Sequence, residues 1–118
     1  MRIGYAREVQ AAPILQTQID MLKAANCKKI FVSRRALEKA DIMQTINDFI
    51  RQGEDTIIVC KLLCLDKSLK EIITFFHQLD KLNLSFESIK ENLVIDRSQW
   101  VIPFSAIHLY QSLKFEDE

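Results

Sequence analysis

Three short stretches of this chain place cations, hydroxyls and thiols close together. The first is Arg7-Glu8, at the end of an apolar run. The second is Ser33-Arg34-Arg35, and the third runs from Cys60 through Cys64 to Lys67 and Ser68. An arginine offers a planar, permanently charged fork that suits a phosphate, whereas a lysine keeps the charge without the fork. A serine beside such a cation is a conceivable nucleophile. Each stretch also has a plainer reading. Arg7 suits a solvated charge at a strand end, and Arg34 and Arg35 suit a solvated loop. Ser68 fits a capping box with Glu71 at a helix start. Cys60-x-x-x-Cys64 lacks metal-site spacing, so no metal or cofactor is implied. His77 and His108 have no Ser or Cys partner at a telling distance and read as structural.

The elements that must position these groups alternate between strand and helix. Arg2 to Ala6 suits a first strand. Pro13 sits where a first helical turn tolerates it, and Leu15, Ile19, Leu22 and Ala25 follow as one helical stripe. Asn26 falls in the region of the C-cap, and Lys29 to Ser33 reads as a second strand. Asp41 begins a second helix with Gln44 three residues on, Ile42, Ile46, Phe49 and Ile50 form its stripe, and Gly53 ends it. Asp55-Thr-Ile-Ile-Val-Cys60 is a continuous apolar run, as in a central parallel strand covered on both faces. Leu69, Ile72, Ile73, Phe76 and Leu79 line a third helix, and Leu84 to Ile89 reads as a fourth strand. Ser98 to Leu113 looks helical, with Pro103 starting or kinking it. The pattern predicts a three-layer α/β fold with a mainly parallel sheet flanked by helices. Ligands on such sheets sit beyond the carboxyl ends of the strands. These are Arg7 to Ala11, Ser33 to Ala40 and Lys61 to Ser68, the stretches singled out above.

Composition narrows the function. The 118 residues hold only two glycines and two prolines, where average usage gives about eight glycines. That excludes a glycine-rich phosphate loop and leaves little material for tight hairpins. Sixteen basic residues balance sixteen acidic ones, so strong nonspecific attraction to nucleic acid or to an anionic membrane is not expected. Three cysteines, an odd number, suit reduced and mostly buried thiols. With no apolar run of membrane-spanning length and no signal-peptide pattern, the expected location is the cytoplasm.

Four blocks, in one order, carry a resemblance. They are Ile3-Gly-Tyr-Ala-Arg7, the helix from Leu15 to Cys27, Lys29-Ile-Phe31, and Gly53 through Ser68-Leu69. Together they resemble the N-terminal catalytic domain of the serine recombinases, the resolvases and invertases. That family reads like IGYARVST, LQIDALKAAGC, KIF and GDTLVVWKLDRLGRSL. The likeness runs from Met1 to about Asp96. It implies a resolvase-like fold over residues 1–97 and DNA recombination through a serine that attacks a phosphodiester. In such chemistry arginines stabilise the charge on the transferring phosphate.

The carried-over site departs from the family at its centre. The nucleophile position is Val9, and an isopropyl group cannot attack phosphorus. Arg7 is retained. The first arginine of the LDRLGRS stretch is Cys64, its preceding acid is Leu63, its glycine is Asp66 and its second arginine is Lys67. The Arg-Pro at the start of the second helix falls near Ala40-Asp41, and the serine-glycine of the mobile loop near Ala36-Leu37. Arg7 and Lys67 thus read as vestigial phosphate-binding positions. Residues 98–118 read as a shortened remnant of the dimerisation helix, with an acidic Phe115-Glu-Asp-Glu end and no DNA-binding domain after it. The expected partners are a second copy or an active recombinase, with weak or partner-borne DNA contact and no membrane.

Two other readings stay open. One is an active recombinase domain whose nucleophile is another hydroxyl, Ser33 or Ser68, or comes from a partner chain. The other is a small α/β binding module of flavodoxin or receiver type. A receiver needs acids after the first strand and an aspartate ending the third, and this chain offers Glu8 but Cys60-Lys61.

Overall fold

The computed structural model describes residues 1–8, 14–33, 54–65 and 69–98. In chain order these form β1 (Arg2–Arg7), α1 (Leu15–Ala24), β2 (Lys29–Ser33), β3 (Thr56–Val59), a 3₁₀ turn (Leu62–Leu65), α2 (Leu69–Lys81), β4 (Ser85–Ser88) and β5 (Leu93–Ile95). The five strands make one sheet in the order β2-β1-β3-β4-β5. The first four are parallel and β5 runs antiparallel to β4. This is the α/β, mainly parallel fold that the sequence pattern predicts. The second helix expected from Asp41 to Gly53, and the last helix beyond Ser98, lie outside the described residues.

The sheet is covered on both faces, which explains why its central strands are apolar throughout. On one face Ile3, Tyr5, Ile57, Val59 and Phe86 meet Ile72, Phe75, Phe76 and Leu79 of α2. Phe86 takes both helix rings edge-on, with centroids 5.9 Å from Phe75 and 5.4 Å from Phe76, a favoured aromatic arrangement. Phe75 is fully buried and Ile73 only half-buried, a small shift from the predicted stripe. On the other face Ala6 and Ile58 pack with Leu22, flanked by Leu15, Ile19, Cys27 and Ile30. Here Gly4 lets α1 come close. A Cβ on it would lie 3.1 Å from Cys27 Sγ and 3.2 Å from Leu22 Cδ1.

The shortage of glycine is met with asparagine. Asn26 ends α1 with φ 64°, Asn83 follows α2 with φ 56°, and Asn92 precedes β5 with φ 53°. Asparagine tolerates this left-handed region better than most residues. Asn92 permits a hairpin that the glycine count argued against: the chain turns between Ser88 and Leu93 and pairs β5 back onto β4. Within β5 the alternation is clean, with Val94 exposed and Ile95 buried.

Candidate functional site

The strand order places β1 between the edge strand β2 and the central strand β3. The chain reverses direction of winding between β1 and β3, and in such sheets ligands bind beyond the carboxyl ends of the strands at that point. Arg7, Ser33, Cys60 and Cys64 all sit at that end of the sheet.

Arg7 is held by its backbone as well as its side chain. Along β1 the even-numbered residues bond toward β2: Lys28 N donates to Arg2 O, and Glu8 N to Ser33 O. The odd-numbered residues face β3, but pairing with β3 stops at Tyr5 and Val59. The amide and carbonyl of Arg7 would therefore be buried without a strand partner. Gln18 of α1 replaces it. Arg7 N donates to Gln18 Oε1 at 3.0 Å, and Gln18 Nε2 donates to Arg7 O at 2.8 Å. The Arg7 guanidinium lies on the α2 face, where Nη1 donates to Tyr5 Oη at 3.2 Å. Only 5% of Arg7 is exposed, so it is not a solvated strand-end charge.

Gln18 was not anticipated as a site residue, yet its signal was available. It is a polar residue between Leu15 and Leu22 on the buried face of α1, and it is fully buried. Such a group needs partners, and the buried face of α1 packs against the strands.

Ser33 is the register neighbour of Arg7 across β1 and β2. In a parallel pair such neighbours stand on one face, so the two candidate residues come together. Ser33 is buried, and among the described residues its Oγ has no hydrogen-bond partner. Val9, Arg34, Arg35, Lys67, Ser68 and His108 lie outside the described residues, as do positions 36–37 and 40–41. His77 is exposed on α2, away from the strand ends.

Cys60 and Cys64 are fully buried where β3 passes into the 3₁₀ turn. The Cys64 thiol hydrogen-bonds Cys60, which favours the Cys60 thiolate and holds Cys64 protonated; burial adds to the latter. Lys90 and Lys61 also favour the Cys60 thiolate, and Glu91 opposes it. Glu91 in turn accepts from Leu62 N at 3.1 Å and pairs with the Ser88 hydroxyl, which ties the turn to the end of β4. Cys27, half-buried against α1, has its thiol pushed up to about 11 by burial. Among the described residues no three His, Cys, Asp or Glu side chains converge as a metal site.

The family model for the resolvase N-terminal domain matches residues 2–108. The chain belongs to the resolvase family. Within this family it is 35% identical over 100 residues to the transposon Tn552 DNA-invertase BinR of Staphylococcus aureus, covering 83% of this chain and 52% of that protein. It is also 35% identical over 101 residues to the transposon Tn552 resolvase of S. aureus, covering 83% and 50%. Protein uvp1 of Escherichia coli is 34% identical over 116 residues, covering 92% and 57%. The resolvase-family chain thus spans about half the length of these relatives. No described helix is long and apolar enough to cross a membrane.

Proposed function

We propose that this chain is a resolvase-family recombination protein whose fold is kept and whose own DNA-cleaving chemistry is lost. It acts by association, with a second copy or with an active recombinase, as a regulator or relic of a mobile element. Contact with DNA is weak or comes through that partner. The observation that carries this reading is the burial of Cys64. At the position where the family resemblance implies a cation, the chain has a thiol enclosed with another thiol, offering no charge to a phosphate. Val9 at the implied nucleophile position points the same way, since losing a nucleophile removes nearly all of a covalent pathway. Residues 1–97 are the family domain in this reading, and 98–118 a shortened dimerisation segment. Mixing the chain with an active family member, then following complex size and plasmid recombination, tests the association. The expected result is a mixed species and altered recombination. Unchanged recombination and two separate species would refute it.

One observation favours a second reading. Ser33 Oγ is buried, lacks a hydrogen-bond partner among the described residues and neighbours Arg7 in register. If it were a relocated nucleophile, Ser33→Ala would abolish DNA cleavage by an active preparation. Cleavage that survives the substitution ends this reading.

A further inference from the structure

Three sulfur-bearing residues meet where β3 passes into the 3₁₀ turn, two from that junction and one from α1, distant in sequence. The Cys60 thiol donates to Met21 Sδ at 3.1 Å, across 39 positions. The 3₁₀ turn sets Cys64 beside Cys60, and the two thiols share a hydrogen bond. Cys60 and Cys64 are fully buried, and Met21 on α1 is half-buried. Both cysteines are free of disulfides. We propose that Met21, Cys60 and Cys64 form a binding site for a soft monovalent cation of the copper(I) class.

The donor set selects the ion. Two thiolates and a thioether favour soft cations, and no imidazole or carboxylate among the described residues completes a harder site. Zinc favours four-coordinate sites of Cys, His or acid ligands, and here the third donor is a neutral thioether. Cys60-x-x-x-Cys64 spacing argues against a metal on its own, and the contact that changes this is Met21, which no spacing rule includes. The charge also balances. Copper(I) displaces one proton from each thiol, giving a bis-thiolate complex of charge −1 and two released protons. Two cations stand close to that negative charge: Lys61 follows Cys60 in the chain, and Lys90 is bonded to it through its backbone. Glu91 opposes it, but its Oε1 is engaged by Leu62 N and the Ser88 hydroxyl. The 3₁₀ turn is anchored by Cys64 N donating to Lys61 O at 2.9 Å, and Cys60 O accepts from Lys90 N at 2.9 Å. Backbone bonds on both thiols' residues therefore pre-set the pair, and binding need only replace the shared thiol protons.

The test is a copper(I) titration of the reduced full chain, without oxygen, against a chromogenic copper(I) chelator. One equivalent is expected to bind, with an X-ray absorption spectrum showing sulfur scatterers alone. Cys60→Ser and Cys64→Ser should lose this equivalent, and Cys27→Ser should keep it. Met21→Leu, which keeps the volume and the fold, should weaken binding by at least the roughly 10-fold that even a supporting ligand partner is worth. The same affinity in Met21→Leu would overturn the proposal. So would equal binding in both cysteine variants, or displacement of copper(I) by equimolar zinc.

Discussion

Replacing Gln18 by methionine tests how the site is built. Methionine matches the length of glutamine and leaves little cavity, but it can neither accept from Arg7 N nor donate to Arg7 O. Both backbone groups then lose these two bonds beyond the end of β3. Each such loss costs about 1–3 kcal/mol, so the pair costs about 2–6 kcal/mol. The added apolar burial of methionine offsets roughly 1.5–3 kcal/mol of that. A net loss of ~2 kcal/mol follows from these two ranges. With a urea slope of roughly 1–3 kcal/mol per molar for a small domain, the unfolding midpoint should fall by about 1 M. Hydrogen exchange supplies a residue-specific readout. The Arg7 amide should exchange much faster in the variant. The Glu8 amide, donated to Ser33 O, should be slowed or quickened only as far as global stability changes. An unchanged midpoint together with an unchanged Arg7 amide would refute the reasoning that Gln18 stands in for a missing strand.

Other positions give independent checks. Gly4→Ala places a methyl 3.1 Å from Cys27 Sγ and 3.2 Å from Leu22 Cδ1, and overpacking of this kind costs about 1–3 kcal/mol in denaturant unfolding. Phe86→Ala removes the ring shared by Phe75 and Phe76 and should cost about 3–5 kcal/mol by the same measurement. The Cys27 thiol is raised from 9.0 to about 11 by burial, so the folded state favours its neutral form. The stability it contributes is complete below pH 9. It is lost as pH rises through about 11, because the unfolded thiol ionises first. Cys27→Ala should therefore flatten the fall in stability over that window, measured against the unsubstituted chain.

Much of the fold was legible because its signals are local. Lys29 to Ser33 reads as a strand and is one, residue for residue. The unbroken run around Ile57, Ile58 and Val59 announces a strand covered on both sides, and all three are fully buried. β5 was not legible. Three residues between Asn92 and Asp96 are too few for a periodic signal, and the strand exists because β4 offers an edge to pair with. The hairpin before it was hidden for a related reason, since Asn92 does what glycine was expected to do. At the site, Arg7 and Cys64 were visible through residue type and position. Gln18 was hidden because its role depends on where β3 stops, which only the sheet register decides. The contact of Met21 with Cys60 joins residues 39 apart, and no local pattern carries such a meeting.

The most direct test of a retained fold with lost chemistry is covalent trapping on DNA. The chain can be joined to the remaining half of the Tn552 resolvase and given a supercoiled plasmid bearing that resolvase's crossover sites. Intact-mass analysis then looks for protein linked to a DNA 5′-phosphate. No adduct and no strand cleavage are expected, with the fusion folded by circular dichroism and the unaltered resolvase forming adducts in parallel. A phosphoserine link to DNA on any residue of this chain would contradict the loss of chemistry.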